Sequence, residues 1–130
     1  MFNHIMIGTD DIDAAKNFYL KVLAVLGVEN AAENTSASGH KRVFFLHDGD
    51  VLALTQPIDD GKVTVSNGMT IGFKCNSPEQ VKELHDVAVA AGATSVEDPP
   101  GLRETTMGNA HLCYFRDLDG HKICGIYRQR

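Results

Sequence analysis

Two stretches of the chain carry apolar residues at helical spacing, and each is set between shorter runs that alternate. In the first, Ile12, Ala15, Tyr19, Val22, Leu23 and Leu26 fall on one stripe that Phe18 widens. Thr9-Asp10-Asp11 supplies a cap before it, and Gly27 a left-handed stop after it. In the second, the stripe is Val81, Leu84, Ala88 and Ala91. Ser77-Pro78-Glu79-Gln80 opens that helix as a capping box with proline at the first helical position, and Gly92 ends it. Strands are predicted over 2–8, 43–47, 51–55, 69–75, 93–97, 110–116 and 122–127, with a weaker one over 28–34. Asp48-Gly49 and Asp117-Leu118-Asp119-Gly120 read as turns, and 98–109, with Pro99-Pro100-Gly101, as a long loop.

The element order occurs twice. A shift of 66 carries Ile5 onto Ile71 and Ile7 onto Phe73, and a shift of 71 carries Asp48-Gly49 onto Asp119-Gly120. The shift grows because the second copy holds the longer loop. The chain thus reads as one 1–130 domain made of modules 1–57 and 68–130, joined by a linker over 58–67. Each module has the order strand, helix, strand, strand, strand.

The remaining sequence features narrow the partners. The chain has 130 residues, 43% hydrophobic and 22% charged, which suits one folded domain. No apolar run reaches the roughly 18–20 residues of a membrane span, and the first residues lack the layout of a signal peptide. A net charge of -5 argues against nucleic acid or an anionic membrane as partner. Cys75, Cys113 and Cys124 have no framework spacing and read as reduced thiols, as in a cytoplasmic protein.

Three stretches resemble one family: His4-Ile-Met-Ile-Gly-Thr-Asp-Asp-Ile-Asp-Ala-Ala-Lys-Asn-Phe18-Tyr19, Gly68-Met-Thr-Ile-Gly-Phe73, and Tyr114-Phe-Arg-Asp-Leu-Asp-Gly-His-Lys-Ile-Cys124. They are similar to the vicinal oxygen chelate superfamily, which includes glyoxalase I, fosfomycin and bleomycin resistance proteins, and extradiol dioxygenases. The resemblance implies an α+β fold in which two βαβββ modules form a curled mixed sheet. Helices would cover its outer face, and a ligand cup would form on its inner one. Strand alternation then assigns faces: with Ile5, Ile7, Leu52, Leu54, Ile71, Phe73 and Ile123 toward the helices, His4, Met6, Ala53, Thr70 and Cys124 face the cup.

Metal-using members place one ligand on each of four strands, and those four places here are His4, Ala53, Thr70 and Cys124. Ala53 has no donor atom, Thr70 is a poor neutral ligand, and Cys124 suits soft metals. No cofactor is therefore expected, with a divalent metal held by His4 and a recruited His47, His111 or His121 as the minority alternative. His4 is the expected polar anchor of a ligand. Arg103, in the long loop, is a candidate partner for an anionic group. His111, just after that loop, is a further candidate for the cavity, its face left open. The Asp117-to-Gly120 turn lacks the ligand pattern of a calcium loop and reads as structural. These features favour a small-molecule-binding protein that works as a homodimer. The alternative is a metal-dependent lyase or isomerase resembling glyoxalase I, or a dioxygenase.

Overall fold

The computed structural model describes residues 1–129, so the last residue of the 68–130 module lies outside it. In chain order the first module contains β1 (Ile5–Gly8), α1 (Ile12–Ala24), β2 (Ala31–Thr35), β3 (Lys41–His47) and β4 (Asp50–Thr55). The second contains β5 (Ile71–Lys74), α2 (Pro78–Ala90), β6 (Thr94–Ser95), β7 (Gly101–Thr105), β8 (Gly108–Arg116) and β9 (Lys122–Arg128). The class is α+β, with two mixed sheets that do not close. One has the order β1-β4-β3-β2; the other has the order β5-β9-β8-β6, with β7 also on β8. Among the described residues no helix is long and apolar enough to cross a membrane.

Local chemistry sets the ends of both helices in the same way. Asp11 Oδ1 accepts from Ala14 N at 3.0 Å, and Ser77 Oγ accepts from Gln80 N at 3.0 Å. At the other end, Val28 N donates to Leu23 O at 3.1 Å across left-handed Gly27, and Ala93 N donates to Ala88 O at 2.9 Å across left-handed Gly92. The Asp48-Gly49 hairpin also forms where the pattern puts it. Asp48 and Gly49 both take positive φ between β3 and β4, as a two-residue turn of the primed kind requires.

Two expectations need correction. The weak strand placed over 28–34 is Ala31–Thr35, because the helix terminus uses Val28. The region 98–109 is not a long loop. It contains β7, which forms a tight hairpin with β8, turned by Gly108 at φ 103°. Pro99 and Pro100 have no N–H to donate, so one strand is split into β6 and β7, both paired to β8.

The helices meet between the two sheets, and one buried cluster runs through both modules. Phe18 of α1 packs edge-on to Phe115 of β8, with ring centroids 6.5 Å apart. Gly125 lies under α2: a Cβ there would be 2.8 Å from both Leu84 Cδ2 and Cys113 Sγ. Polar bonds add direction to this contact. Tyr19 Oη donates to Asp117 Oδ2 at 2.5 Å inside the core. Asp117 Oδ1 accepts from the backbone of Asp119 at 3.0 Å and of His121 at 2.9 Å. His121 Nε2 donates to Gly8 O at 2.7 Å, and Gln80 Nε2 donates to Val25 O at 2.9 Å. The Asp117 turn is thus structural, and His121, which turn position alone would expose, is half-buried against β1.

Removing the Tyr19 hydroxyl leaves a buried carboxylate oxygen without its donor. Tyr19→Phe is expected to lower stability by about 1–3 kcal/mol in urea unfolding; no change would contradict this role. Alkaline pH should also destabilise the fold. Burial pushes the Tyr19 phenol well above its ordinary value, with Asp117 adding to the rise. Burial likewise pushes Cys75 up to about 11 and Cys113 up to about 12. The folded chain keeps protons that the unfolded chain releases, so this stability is present below the ordinary thiol value of 9.0 and is lost as pH rises through the folded values. Urea midpoints should fall from about pH 9 upward, and replacing both cysteines by alanine should flatten the slope.

Candidate functional site

Strand alternation gives each sheet a helix-facing side and an open side. In the first sheet Ile7, Val43, Phe45, Leu52 and Leu54 join the core under α1. The opposite parity carries Met6, Ala53 and Phe44, which lie in one row across β1, β4 and β3. In the second sheet Ile71, Cys113, Phe115 and Ile123 join the core under α2. The opposite parity there carries Gly72, Cys124 and Tyr114, in one row across β5, β9 and β8. The two rows are equivalent in the repeat: Met6 corresponds to Gly72, Ala53 to Cys124, and Phe44 to Tyr114.

Both rows have a small, buried centre flanked by a ring. Ala53 and Cys124 are buried yet stand outside the core cluster, so their strand neighbours cover them rather than the helices. Each ring carries a cation. The Arg42 guanidinium sits 5.7 Å from the Phe44 centroid, with its Nε donating to Asn34 Oδ1 at 2.8 Å. The Lys122 ammonium sits 4.9 Å from the Tyr114 centroid and pairs with Glu97, whose backbone is left-handed at φ 60°. Met6 (37% exposed) and Leu46 (59% exposed) leave apolar surface open on the first sheet.

Burial pushes the Cys124 thiol above its ordinary value and Glu97 adds to the rise, while the Tyr114 hydroxyl and the Lys122 ammonium oppose it. Burial also lifts the Tyr114 phenol, with Cys124 and Glu97 adding and Arg103 opposing. At neutral pH the row therefore presents a thiol and a phenol that both hold their protons. Neither is a ready nucleophile.

The residues singled out from the sequence are distributed as follows. Met6 and Ala53 are cross-strand neighbours on one open side, and Cys124 is on the other. His4 and Thr70 are exposed, each one residue before its strand begins, and the His4 ring bonds only to Asn3, at 2.8 Å. Arg103 is opposite Ala110 on the open side of β7. Its guanidinium, however, is occupied by the carbonyls of Asp98, Pro99 and Gly101, between 2.9 and 3.2 Å away. His111, a candidate for the cavity whose face the sequence left open, shares parity with Cys113 and Phe115 on the helix-facing side of β8, with its ring 6.2 Å from the Tyr127 ring. The structure does not bring His4, Met6, Ala53, Thr70 and Cys124 into one cavity within the chain. The larger clefts of the described residues lie elsewhere, among them one of about 390 Å³ between α1 and β5 that includes Leu23, Phe45, Leu52 and Phe73. Sequence reasoning missed Arg42, Phe44, Tyr114 and Lys122, although their parity with Ala53 and Cys124 was the available signal.

The four family ligand positions hold an imidazole, a methyl, a hydroxyl and a protonated thiol. This donor set does not fit a hard divalent ion, which needs about three oxygen or imidazole ligands and an open position. Among the described residues no three His, Cys, Asp or Glu side chains converge on one point.

The sequence profile described as Glyoxalase/Bleomycin resistance protein/Dioxygenase superfamily matches residues 1–124. The chain is similar to a glyoxalase/bleomycin resistance protein from Albidiferax ferrireducens T118, at 38% identity and TM-score 0.91, over 98% of this chain and 99% of that one. It shares the fold of a glyoxalase-related enzyme from Fulvimarina pelagi, at 21% identity and TM-score 0.72, over 98% and 88% of the two chains. It also shares the fold of the genomically encoded fosfomycin resistance protein FosX of Listeria monocytogenes, at 21% identity and TM-score 0.70, over 100% and 92%. No curated protein matches the sequence.

Titration with Ni²⁺, Mn²⁺ or Fe²⁺ is expected to show no binding tighter than about 1 μM. The triple variant Ala53→Glu, Thr70→His, Cys124→Glu should acquire it. A nanomolar isotherm in the unaltered protein, abolished by His4→Ala, would contradict the reading of the donor set.

Proposed function

We propose, for a chain that belongs to the glyoxalase/bleomycin resistance protein/dioxygenase superfamily, that it binds a small organic molecule without metal chemistry, in a cup completed by a second copy of itself. The observation that supports this is the separation of the two equivalent rows. Met6–Ala53–Phe44 and Gly72–Cys124–Tyr114 occupy different sheets, and among the described residues β1 pairs only with β4 and β5 only with β9. Each sheet therefore ends in a four-residue strand with no further strand paired to it, and the two edges are counterparts in the repeat. A second copy related by a two-fold axis sets β1 of one chain beside β5 of the other and covers both edges twice over. It also faces the first module's row with the partner's equivalent of the second.

The cup so formed is lined by Met6, Ala53, Phe44, Cys124 and Tyr114, an apolar wall with a few polar groups, as small-molecule capture needs. The absent donors at Ala53 and Thr70 turn the reading away from the lyase, isomerase and dioxygenase chemistries that need a metal. Three reduced thiols suit the cytoplasm as the working compartment.

Light scattering at micromolar concentration is expected to give twice the 14.1 kDa chain mass. A change of Ile71 or Phe73 is unsuitable as a probe because both serve the core, so the edge is tested at its open position. Gly72→Pro should shift the protein to monomer without unfolding it, as read by circular dichroism. A monomer mass for the unaltered protein would overturn the reading.

A further inference from the structure

Resting on the shared cup just described, we propose that its ligand is a planar organic anion of the aromatic carboxylate class, held by Arg42 and Lys122 across the Phe44 and Tyr114 rings.

The chain carries a net -5. Yet on the strands, every charged residue with open-side parity is a cation: Arg42, Lys74, Arg103, Arg116, Lys122 and Arg128. The acidic strand residues Glu33, Asp50 and Glu104 all have the helix-side parity. Lys41 is the exception among the seven strand cations, with helix-side parity, so an acidic protein that gathers the other six on one side of its sheets concentrates a positive field there. Anions are drawn to that side and cations are turned away.

Two of the six cations are placed to select a planar ligand. Arg42 over Phe44 lies opposite Thr55 and Lys122 over Tyr114 lies opposite Arg116, each two residues along the strands from the row of Ala53 or of Cys124. Each cation is seated on a ring, which fixes its position, and each keeps N–H groups for an anion. Arg42 has only the neutral Asn34 as a side-chain partner, so its charge is uncompensated. A guanidinium offers a carboxylate two parallel donors, and a flat apolar body fits against Phe44, Tyr114 and the Met6 thioether. By contrast, the Arg103 guanidinium is spent on backbone carbonyls and contributes field rather than a contact.

Lys122 differs from Arg42 because Glu97 already neutralises it. An incoming anion must compete with that carboxylate. Glu97 is held at left-handed φ, a conformation that an acidic side chain adopts at a cost. It acts as a stand-in that yields the ammonium when the ligand arrives.

Three probes with one skeleton separate charge from shape: 1-naphthoate, neutral 1-naphthamide and cationic 1-naphthylmethylammonium. Calorimetry on the intact protein is expected to show naphthoate binding at least about tenfold more tightly than either of the others. Arg42→Met and Lys122→Met should each weaken naphthoate by about fivefold or more and leave naphthamide within about twofold. Glu97→Gln should tighten naphthoate, a sign that a merely structural ion pair would not produce. Equal binding of naphthoate and naphthamide, preference for the ammonium, or loss of naphthoate affinity in Glu97→Gln would overturn the proposal. Light scattering on the same samples distinguishes the levels: a dimer that ignores all three probes overturns the anion assignment alone, whereas a monomer that ignores them overturns the shared cup and the assignment with it.

Discussion

The buried hydrogen bond from Tyr19 to Asp117 is the constraint on which the arrangement of the two modules depends. It takes a phenol from the first module's helix and a carboxylate from the second module's last turn, and it puts both out of water. A carboxylate in that position must have donors, and Asp117 has three: the phenol and the backbone N–H groups of Asp119 and His121. Meeting that requirement fixes where the β8–β9 turn lies against α1. His121 then reaches the end of β1, and Phe115 meets Phe18. The helices are driven together between the sheets, and the opposite sides of both sheets are left bare.

That outcome explains why the chain looks unfinished alone. A sheet with one side in the core and one side open is stable in water if the open side is polar. Here the open sides keep Met6, Phe44, Leu46 and Tyr114, together with two free strand edges. The internal repeat makes the two edges counterparts, as the proposed two-fold pairing of copies requires. The same symmetry makes sense of the row centres. At the row centres this chain has a methyl and a protonated thiol, and beside them Arg42 and Lys122 sit over aromatic rings.

Much of the fold was legible from the residues themselves. The apolar stripes of α1 and α2, their caps at Asp11 and Ser77, and the glycine stops act within a few positions of sequence, and they appear where the pattern puts them. The Asp48-Gly49 hairpin belongs to the same group, since its geometry is a property of two residues. The split of one strand into β6 and β7 was hidden because Pro99-Pro100 signals a break in the ladder but not that pairing resumes beyond it. The side taken by His111 was unreadable without the start of β8, because a strand shifted by one residue changes every face. The placement of His121 depends on a contact 113 positions away in the chain. For the same reason, alternation could assign Met6, Ala53 and Cys124 to open sides but could not say whether those sides face each other within one chain. Long-range edge pairing leaves no local trace.

The account turns on whether the two rows meet across copies. The direct measurement is an isotope-filtered nuclear Overhauser experiment on a mixed sample, with one population ¹³C-labelled at the methionine methyl groups and the other unlabelled. Cross-peaks are expected between the Met6 methyl of a labelled chain and the Gly72 α-protons of an unlabelled one, its neighbour across the β1–β5 seam. Cross-peaks between the same two groups that arise only within a uniformly labelled chain, and vanish from the filtered spectrum, would contradict the account.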